Sequence, residues 1–255
     1  MEGLEGKVVV FAGAGGLATA TAKFLGAGGA KVVVSDVVAE SSERTADAAR
    51  SAGGAGISTV ADISDVDQVK SLIDLAIAEY GRIDGLFNVA ANIHPEEVAK
   101  DTHVVDIDLA AWQRTIDVNL TGYLLTLKYA LPQMISGGGG SVVNTISDAV
   151  YAGMDDKVAY QATKAGITAL TRHVARKYGK AGVRANSVSP GLVLTEQTLL
   201  NLPEDFRNSF IASTPAPRLG VPDDIGSTVA FLMSDLSEWT TGQVFCVDGG
   251  QTMRP

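Results

Sequence analysis

Three residues in the second half of the chain have the types and spacing for proton chemistry: Ser147, Tyr160 and Lys164. The stretch Tyr160-Gln161-Ala162-Thr163-Lys164 opens a run, Ala165 to Arg176, whose apolar residues recur at helical spacing, so Tyr160 is expected on that helix. Residues four apart share a helix face, which would set the phenol beside the ammonium. A phenol with its ordinary pKa near ~10 is a poor base at neutral pH, but a fixed cation stabilises the phenolate and fits Tyr160 for general acid or base work. The pair alone reads equally well as a ring packed on a lysine stem, a common helical arrangement, so its function has to come from its surroundings.

A second constellation stands near the start. Lys7 to Ala12 is a short β-branched run that enters Gly13-Ala14-Gly15-Gly16, and Leu17 to Leu25 then carries helical periodicity. Strand, glycine turn and helix together let backbone amides at a helix N-terminus approach a pyrophosphate, whose charge the helix dipole favours. A glycine cluster by itself is also an ordinary tight turn. Ala30 to Ser35 reads as the next strand, and Asp36 stands at its carboxyl end, about twenty residues past the loop, where a carboxylate binds adenosine ribose hydroxyls and repels a 2′-phosphate. The alternative for Asp36 is a cap on the following helix. No Arg or Lys lies between Asp36 and Glu43, so NAD is expected over NADP.

The elements between these constellations alternate. Val37 to Ala52 reads as a helix, Ile57 to Ala61 as a strand ending in Asp62-Ile63 with Asp62 placed for the adenine, and Val66 to Tyr80 as a helix closed by Gly81. Ile83 to Val89 is a buried strand running into Asn88-Val89-Ala90-Ala91. A crossover helix after each strand predicts a parallel sheet with helices on both faces and ligands beyond the strands' carboxyl ends. Asn92 to Asp108 is polar and aperiodic and reads as a loop beside the site; its His94 and His103 make no compact ligand set, so no metal is expected. Ala110 to Ile135 reads as one long helix. Asn119 in its interior predicts either a bend or a functional polar site, because its amide competes for backbone hydrogen bonds. Gly137 to Gly140 turns into strand Ser141 to Ile146, which ends at Ser147, and strand Ala185 to Val188 leads to Pro190-Gly191. Leu194 to Pro217, with Leu199, Leu200, Leu202, Phe206, Phe210 and Ile211, is either an apolar lid or a helical pair packed on the domain. Gly220 to Ser234 and Gln243 to Asp248 read as the last helix and strand.

Bulk properties exclude several classes. The 255 residues, 46% apolar and 19% charged, suffice for a large core. A formal net charge of −9 argues against nucleic acid as a partner. The longest uncharged stretches, Val8 to Ala22 and Gly137 to Ser147, are broken by Gly, Thr, Ser and Asn, so no membrane span is expected. Glu2 and Glu5 spoil a signal peptide and the lone Cys246 has no internal partner, which makes cytoplasm the expected compartment.

Ser147, Tyr160 thirteen positions on, Lys164 four further and Asn119 upstream resemble the catalytic tetrad of the short-chain dehydrogenase/reductase family. The resemblance covers nearly the whole chain: the glycine loop at Gly13 to Ala18, acidic Asp36, the Asp62 position, Asn88-Val89-Ala90-Ala91, and Pro190-Gly191 followed by Thr195 occur in the family's order. Against the family's Thr-Gly-x-x-x-Gly-x-Gly, Ala12 replaces the Thr, the gap from Gly13 to Gly16 is one residue shorter, and Ala18 replaces the last Gly; of Asn-Asn-Ala-Gly only Asn88 is carried over.

The resemblance implies a single α/β domain over residues 1–255, a Rossmann-type doubly wound parallel sheet with helices on both faces and a substrate lid at about 194–217. It implies hydride transfer between NAD and a small-molecule secondary alcohol or its ketone. Tyr160 would transfer the proton and Ser147 hydrogen-bond the same oxygen. Lys164 would hold the nicotinamide ribose and depress the Tyr160 pKa, and Asn119 would anchor a water chain to Lys164. Gly13, Gly15, Gly16, Leu17, Asp36, Asp62, Ile63, Asn88, Tyr160, Lys164, Val193 and Thr195 are implied to bind the cofactor, with the Val193 backbone and Thr195 hydroxyl at its carboxamide. A homotetramer built on the C-terminal strand and the Tyr160 helix is implied as well. Two other readings compete. An NADPH-dependent 3-oxoacyl thioester reductase is opposed by Asp36 and by the scarcity of basic residues around the lid, and a non-catalytic dinucleotide sensor by the complete tetrad.

Overall fold

Alternating β-branched runs and amphipathic helices assemble one sheet. The computed structural model describes residues 2–253. Strands β1 (Val8–Ala12), β2 (Lys31–Asp36), β3 (Ala55–Val60), β4 (Gly85–Asn88), β5 (Gly140–Thr145), β6 (Val183–Pro190) and β7 (Val244–Val247) pair in parallel in the order β3-β2-β1-β4-β5-β6-β7. The chain reverses its direction of winding between β1 and β4, and such a reversal opens a crevice at the strands' carboxyl ends.

Side-chain alternation within β1 builds the two cores. Val9 and Phe11 pack on one face with Leu25, Ile225 and Val229, under α1 (Gly16–Ala27), α2 (Ala39–Ser51) and α11 (Pro222–Met233). Val8 and Val10 pack on the other with Leu72, Leu127, Leu131 and Val174, under α3 (Val66–Tyr80), α6 (Gly122–Ser136) and α8 (Val158–Tyr178). Helix α3 has the bounds its sequence predicts, because Asp65 caps its first turn and Gly81 at φ 75° closes it.

Two segments depart from the sequence expectations. Asn92 to Asp108 contains a short helix, α4 (Pro95–Val98), and is otherwise loop. The long helix runs as α5 (Leu109–Ile116) into α6 through a π segment, Asp117–Thr121, which holds Asn119. A short helix α7 (Ala149–Ala152) follows Ser147, and α9 (Glu196–Asn201) and α10 (Glu204–Ser213) occupy the stretch after β6. Among the described residues, no helix is long and apolar enough to cross a membrane, and no group of three or more His, Cys, Asp or Glu could hold a metal ion.

Candidate active site

Lys164 follows Tyr160 by one turn of α8, and the two side chains meet: Nζ lies 5.6 Å from the Tyr160 ring centroid and 5.2 Å from that of Tyr123. The ammonium donates to the Thr145 carbonyl, at the end of β5, over 2.8 Å. Lys164 is 1% exposed, and this burial lowers its pKa to about 7. Burial also pushes the Tyr160 phenol above its ordinary value; the nearby Ser147 hydroxyl opposes that rise and Asp148 adds to it. The depression of Tyr160 expected from Lys164 is therefore absent among this chain's own groups. The ammonium stands over the ring, burial weakens its own charged form, and desolvation is the largest influence on the phenol.

Ser147 leaves β5 at the mouth of the crevice. Its Oγ donates to Asp148 Oδ1 at 3.0 Å and accepts from the Ala149 amide at 3.2 Å, which fixes the hydroxyl at the start of α7. Burial raises the Asp148 pKa, the Ser147 hydrogen bond counteracts this, and Asp248 adds to it. Asn119 is fully buried; its Oδ1 accepts from the Asn92 amide at 2.7 Å, and its Nδ2 approaches Thr163 Oγ1 at 3.5 Å. Of the two alternatives expected for Asn119 the structural one is present: the helix changes geometry there, and the side chain joins the loop after β4 to α8. That loop also reaches α8 through Asp101, 5% exposed, whose carboxylate accepts from the Ala159 and Tyr160 amides at 2.9 Å each.

Ser147, Tyr160 and Lys164 border the first of three confluent cavities. One of about 750 Å³ is lined by Gly15, Gly16, Leu17, Ser147, Tyr160 and Lys164. A second, of about 780 Å³, shares Ala14, Gly15 and Ile93 with it and continues past Asp36, Asp62 and Ile63. The third, of about 470 Å³, shares Ser147 and Tyr160 and is lined further by Leu192, Leu202, Phe206 and Phe210.

A family model described as enoyl-(acyl carrier protein) reductase matches residues 12–252. The chain is 38% identical over 248 residues to cis-4-hydroxycyclohexanecarboxylate dehydrogenase of Sinomonas cyclohexanicum, covering 97% of each chain. It is 34% identical to 7alpha-hydroxysteroid dehydrogenase of Bacteroides fragilis over 99% of this chain and 97% of that one. To 3-oxoacyl-(acyl-carrier-protein) reductase of Thermotoga maritima it is 33% identical over 97% and 98%. The solved structure of a short-chain type dehydrogenase/reductase from Mycobacterium ulcerans matches 96% of this chain and 89% of that one, at 30% identity and a TM-score of 0.88. The chain belongs to the short-chain dehydrogenase/reductase family. It is an oxidoreductase of that family, whose members bind a nicotinamide dinucleotide.

The residues present fit the family's dinucleotide. Helix α1 opens at Gly15, φ 97°, with no side-chain cap and no acidic residue in its first turn, and Gly15, Gly16 and Leu17 line the first cavity, so the uncapped N-terminus of the helix stands at its wall. Gly13, φ 110°, lies so close to Ala90 that a Cβ would collide with its backbone, which keeps the loop flat against β4. Lys164 Nζ has one acceptor among the described residues, and the buried Thr145 hydroxyl in the same cavity has no partner. Both are groups that ribose hydroxyls could satisfy.

The other cofactor candidates divide. Asp36 accepts from the Ala14 and Val38 amides at 2.9 Å each, which pins its carboxylate at the edge of the second cavity. Asp62 reaches the same cavity, but its oxygens take the Ser64 amide and hydroxyl at 2.9 and 2.7 Å and the Arg114 guanidinium at 2.8 Å. Ile63 lines that cavity, and Val193 the first. Thr195 lines the first and third, with its hydroxyl accepting from the Thr198 amide as the cap of α9. Asn88 is set apart. Fully buried at the end of β4, it donates to Asn144 Oδ1 at 2.8 Å and accepts from Thr126 Oγ1 at 2.7 Å, and it lines none of the three cavities. Sequence reasoning missed Asp101, Arg114 and the Thr145 carbonyl. Their roles are contacts to residues 58, 52 and 19 positions away, which no periodicity records.

Proposed function

We propose that this oxidoreductase is an NAD-dependent dehydrogenase of secondary ring alcohols, with Tyr160 as its general acid and base. The observation that carries the reading is the convergence of Tyr160, Ser147 and Lys164 on the wall where a cleft of dinucleotide size meets an apolar cavity of substrate size. When bound, the dinucleotide supplies the hydride acceptor or donor and, oxidised, a positive charge. Tyr160 Oη takes the alcohol proton in oxidation and returns it in reduction, while Ser147 Oγ hydrogen-bonds the same substrate oxygen as its charge changes. Lys164 Nζ holds the nicotinamide ribose and steadies the phenolate together with the positive charge of the oxidised dinucleotide, and Asn119 anchors the water chain through which Lys164 exchanges protons with solvent. Gly13, Gly15, Gly16 and Leu17 take the pyrophosphate, Asp62 and Ile63 border the adenine, and Val193 and Thr195 border the carboxamide.

Asp36 supports NAD, because a carboxylate pinned by two amides repels a 2′-phosphate. The ring-alcohol class is supported by the size and lining of the third cavity and by the relatives named for a hydroxycyclohexanecarboxylate and a hydroxysteroid. Residues 194–217 act as its lid, with Leu202, Phe206 and Phe210 turned to the cavity. The second reading, an NADPH-dependent 3-oxoacyl thioester reductase, draws on the Thermotoga relative and on Lys23 and Arg44, which line the dinucleotide cleft.

Steady-state rates with NADH and NADPH, on cyclohexanone and on an acetoacetyl thioester, separate the two. The proposal expects a kcat/KM at least about tenfold higher with NADH on the ketone, and a ratio drawn toward one by Asp36→Ser. Preference for NADPH and the thioester would select the second reading.

A further inference from the structure

The third cavity is lined by three charged side chains: Asp101, Asp148 and Lys157. Both carboxylates are engaged. Asp101 accepts two amides of α8, and Asp148 accepts the Ser147 hydroxyl and is drawn toward its neutral form by burial. Lys157 differs. Among the described residues no acceptor bonds its ammonium, and the exposed Asp155 and Asp156 just before it in the chain make no ion pair with it. Its backbone is held firmly: the Lys157 amide donates to the Asp101 carbonyl at 2.9 Å and the Val158 amide to the Thr102 carbonyl at 3.2 Å. That anchorage keeps Lys157 at φ 59° and ψ 46°, the one positive φ of a non-glycine residue among those described, a conformation disfavoured for an L side chain. The turn thus presents a half-buried, unpartnered cation to the same cavity as Tyr160, three residues on.

We infer that Lys157 is an anion subsite of the substrate cavity, and that the preferred substrate is a ring alcohol bearing one compact anion, such as a carboxylate, away from its hydroxyl. The hydroxyl lies at Ser147 and Tyr160, the ring against Leu192, Phe206 and Phe210, and the carboxylate at Lys157. A single ammonium suits a single anionic group, and the two engaged carboxylates disfavour a more highly charged ligand. This inference rests on the alcohol dehydrogenase reading, and the experiment separates the failure of one from the failure of the other.

NAD⁺-dependent oxidation of cis- and trans-4-hydroxycyclohexanecarboxylate and of cyclohexanol is measured for wild type, Lys157→Gln and Lys157→Arg. Wild type is expected to prefer a carboxylate substrate. Lys157→Gln should lower the ratio of kcat/KM for that substrate over cyclohexanol about fivefold, through KM, the scale of one partly exposed ion pair, and Lys157→Arg should restore it. A ratio equal in wild type and Lys157→Gln overturns the subsite and leaves the dehydrogenase reading standing. If none of the alcohols is oxidised, the dehydrogenase reading falls. Calorimetric titration of cyclohexanecarboxylate into the protein with saturating NAD⁺ then decides the subsite alone: weaker binding to Lys157→Gln supports it, and equal or absent binding in both proteins overturns it.

Discussion

Burial holds the Tyr160 phenol protonated at neutral pH, the form that donates a proton to a ketone oxygen. Alcohol oxidation needs the opposite form. Its kcat/KM is therefore expected to climb with pH across the range below the raised phenol pKa, while ketone reduction stays flat and then falls, which paired pH profiles will show. Tyr160→Phe should cut kcat about 10²- to 10⁴-fold with dinucleotide binding retained, as steady-state rates and fluorescence titration of NADH would register. Lys164 adds a stability signature. Its folded pKa of about 7 lies below the unfolded value, so between the two the unfolded chain holds the extra proton and stability rises with pH, by at most about 1.4 kcal/mol per pH unit. The raised Tyr160 pKa acts in reverse, removing stability above its ordinary value near ~10, so the window to examine runs from about pH 7 to 9.5. Urea denaturation should show this rise in wild type and its loss in Lys164→Met. The Tyr160 and Lys164 pair was legible in the sequence because four residues make one helical turn. Its electrostatic balance was not, because burial depends on Tyr123, Thr145 and the strands packed around them.

The start of α8 is set by a residue the sequence places in a featureless loop. With its own N-cap position taken by Lys157, which offers no side-chain cap, the helix takes its cap from Asp101. Asp101→Ala should cost about 0.5–2 kcal/mol in urea unfolding and lower kcat, with Asp101→Asn recovering part of both, since one amide acceptor remains. Such a cap is invisible locally: the polar stretch Asn92 to Asp108 has no period, and its anchorage is a long-range contact. The opposite case is α3, whose bounds follow from Asp65 and Gly81 within the helix's own sequence. Arg44 on α2 and Glu196 on α9 approach within 3.7 Å across the first cavity, both exposed, so the pair contributes little to stability while joining α9 to α2.

At the scale of the whole molecule, the parallel sheet with helices on both faces followed from the alternation of elements, and every candidate except Asn88 and Asn119 lines a cavity at the strand ends. Asn88 shows the limit: a strand end has an open side and a packed side, and side-chain direction there depends on neighbours such as Asn144 and Thr126. The outer surface carries an apolar groove between α6 and α8, lined by Leu124, Leu131, Ile135, Leu170 and Tyr178, and Trp239 is fully exposed just before β7. Those are the regions where a homotetramer is expected. Sedimentation should give a particle of four 26.4 kDa chains, and Leu124→Glu or Trp239→Ser should shift it to smaller species. The π segment at Asp117–Thr121 has one more bearing on the molecule. Its wider turn offsets the phase of everything downstream by about 100°, the angle one residue subtends in an α-helix. Trimming a single position from it would satisfy the helix and swing Tyr123, Leu127, Leu131 and Met134 away from the interior, so this helix should accept substitutions far more readily than a change of length.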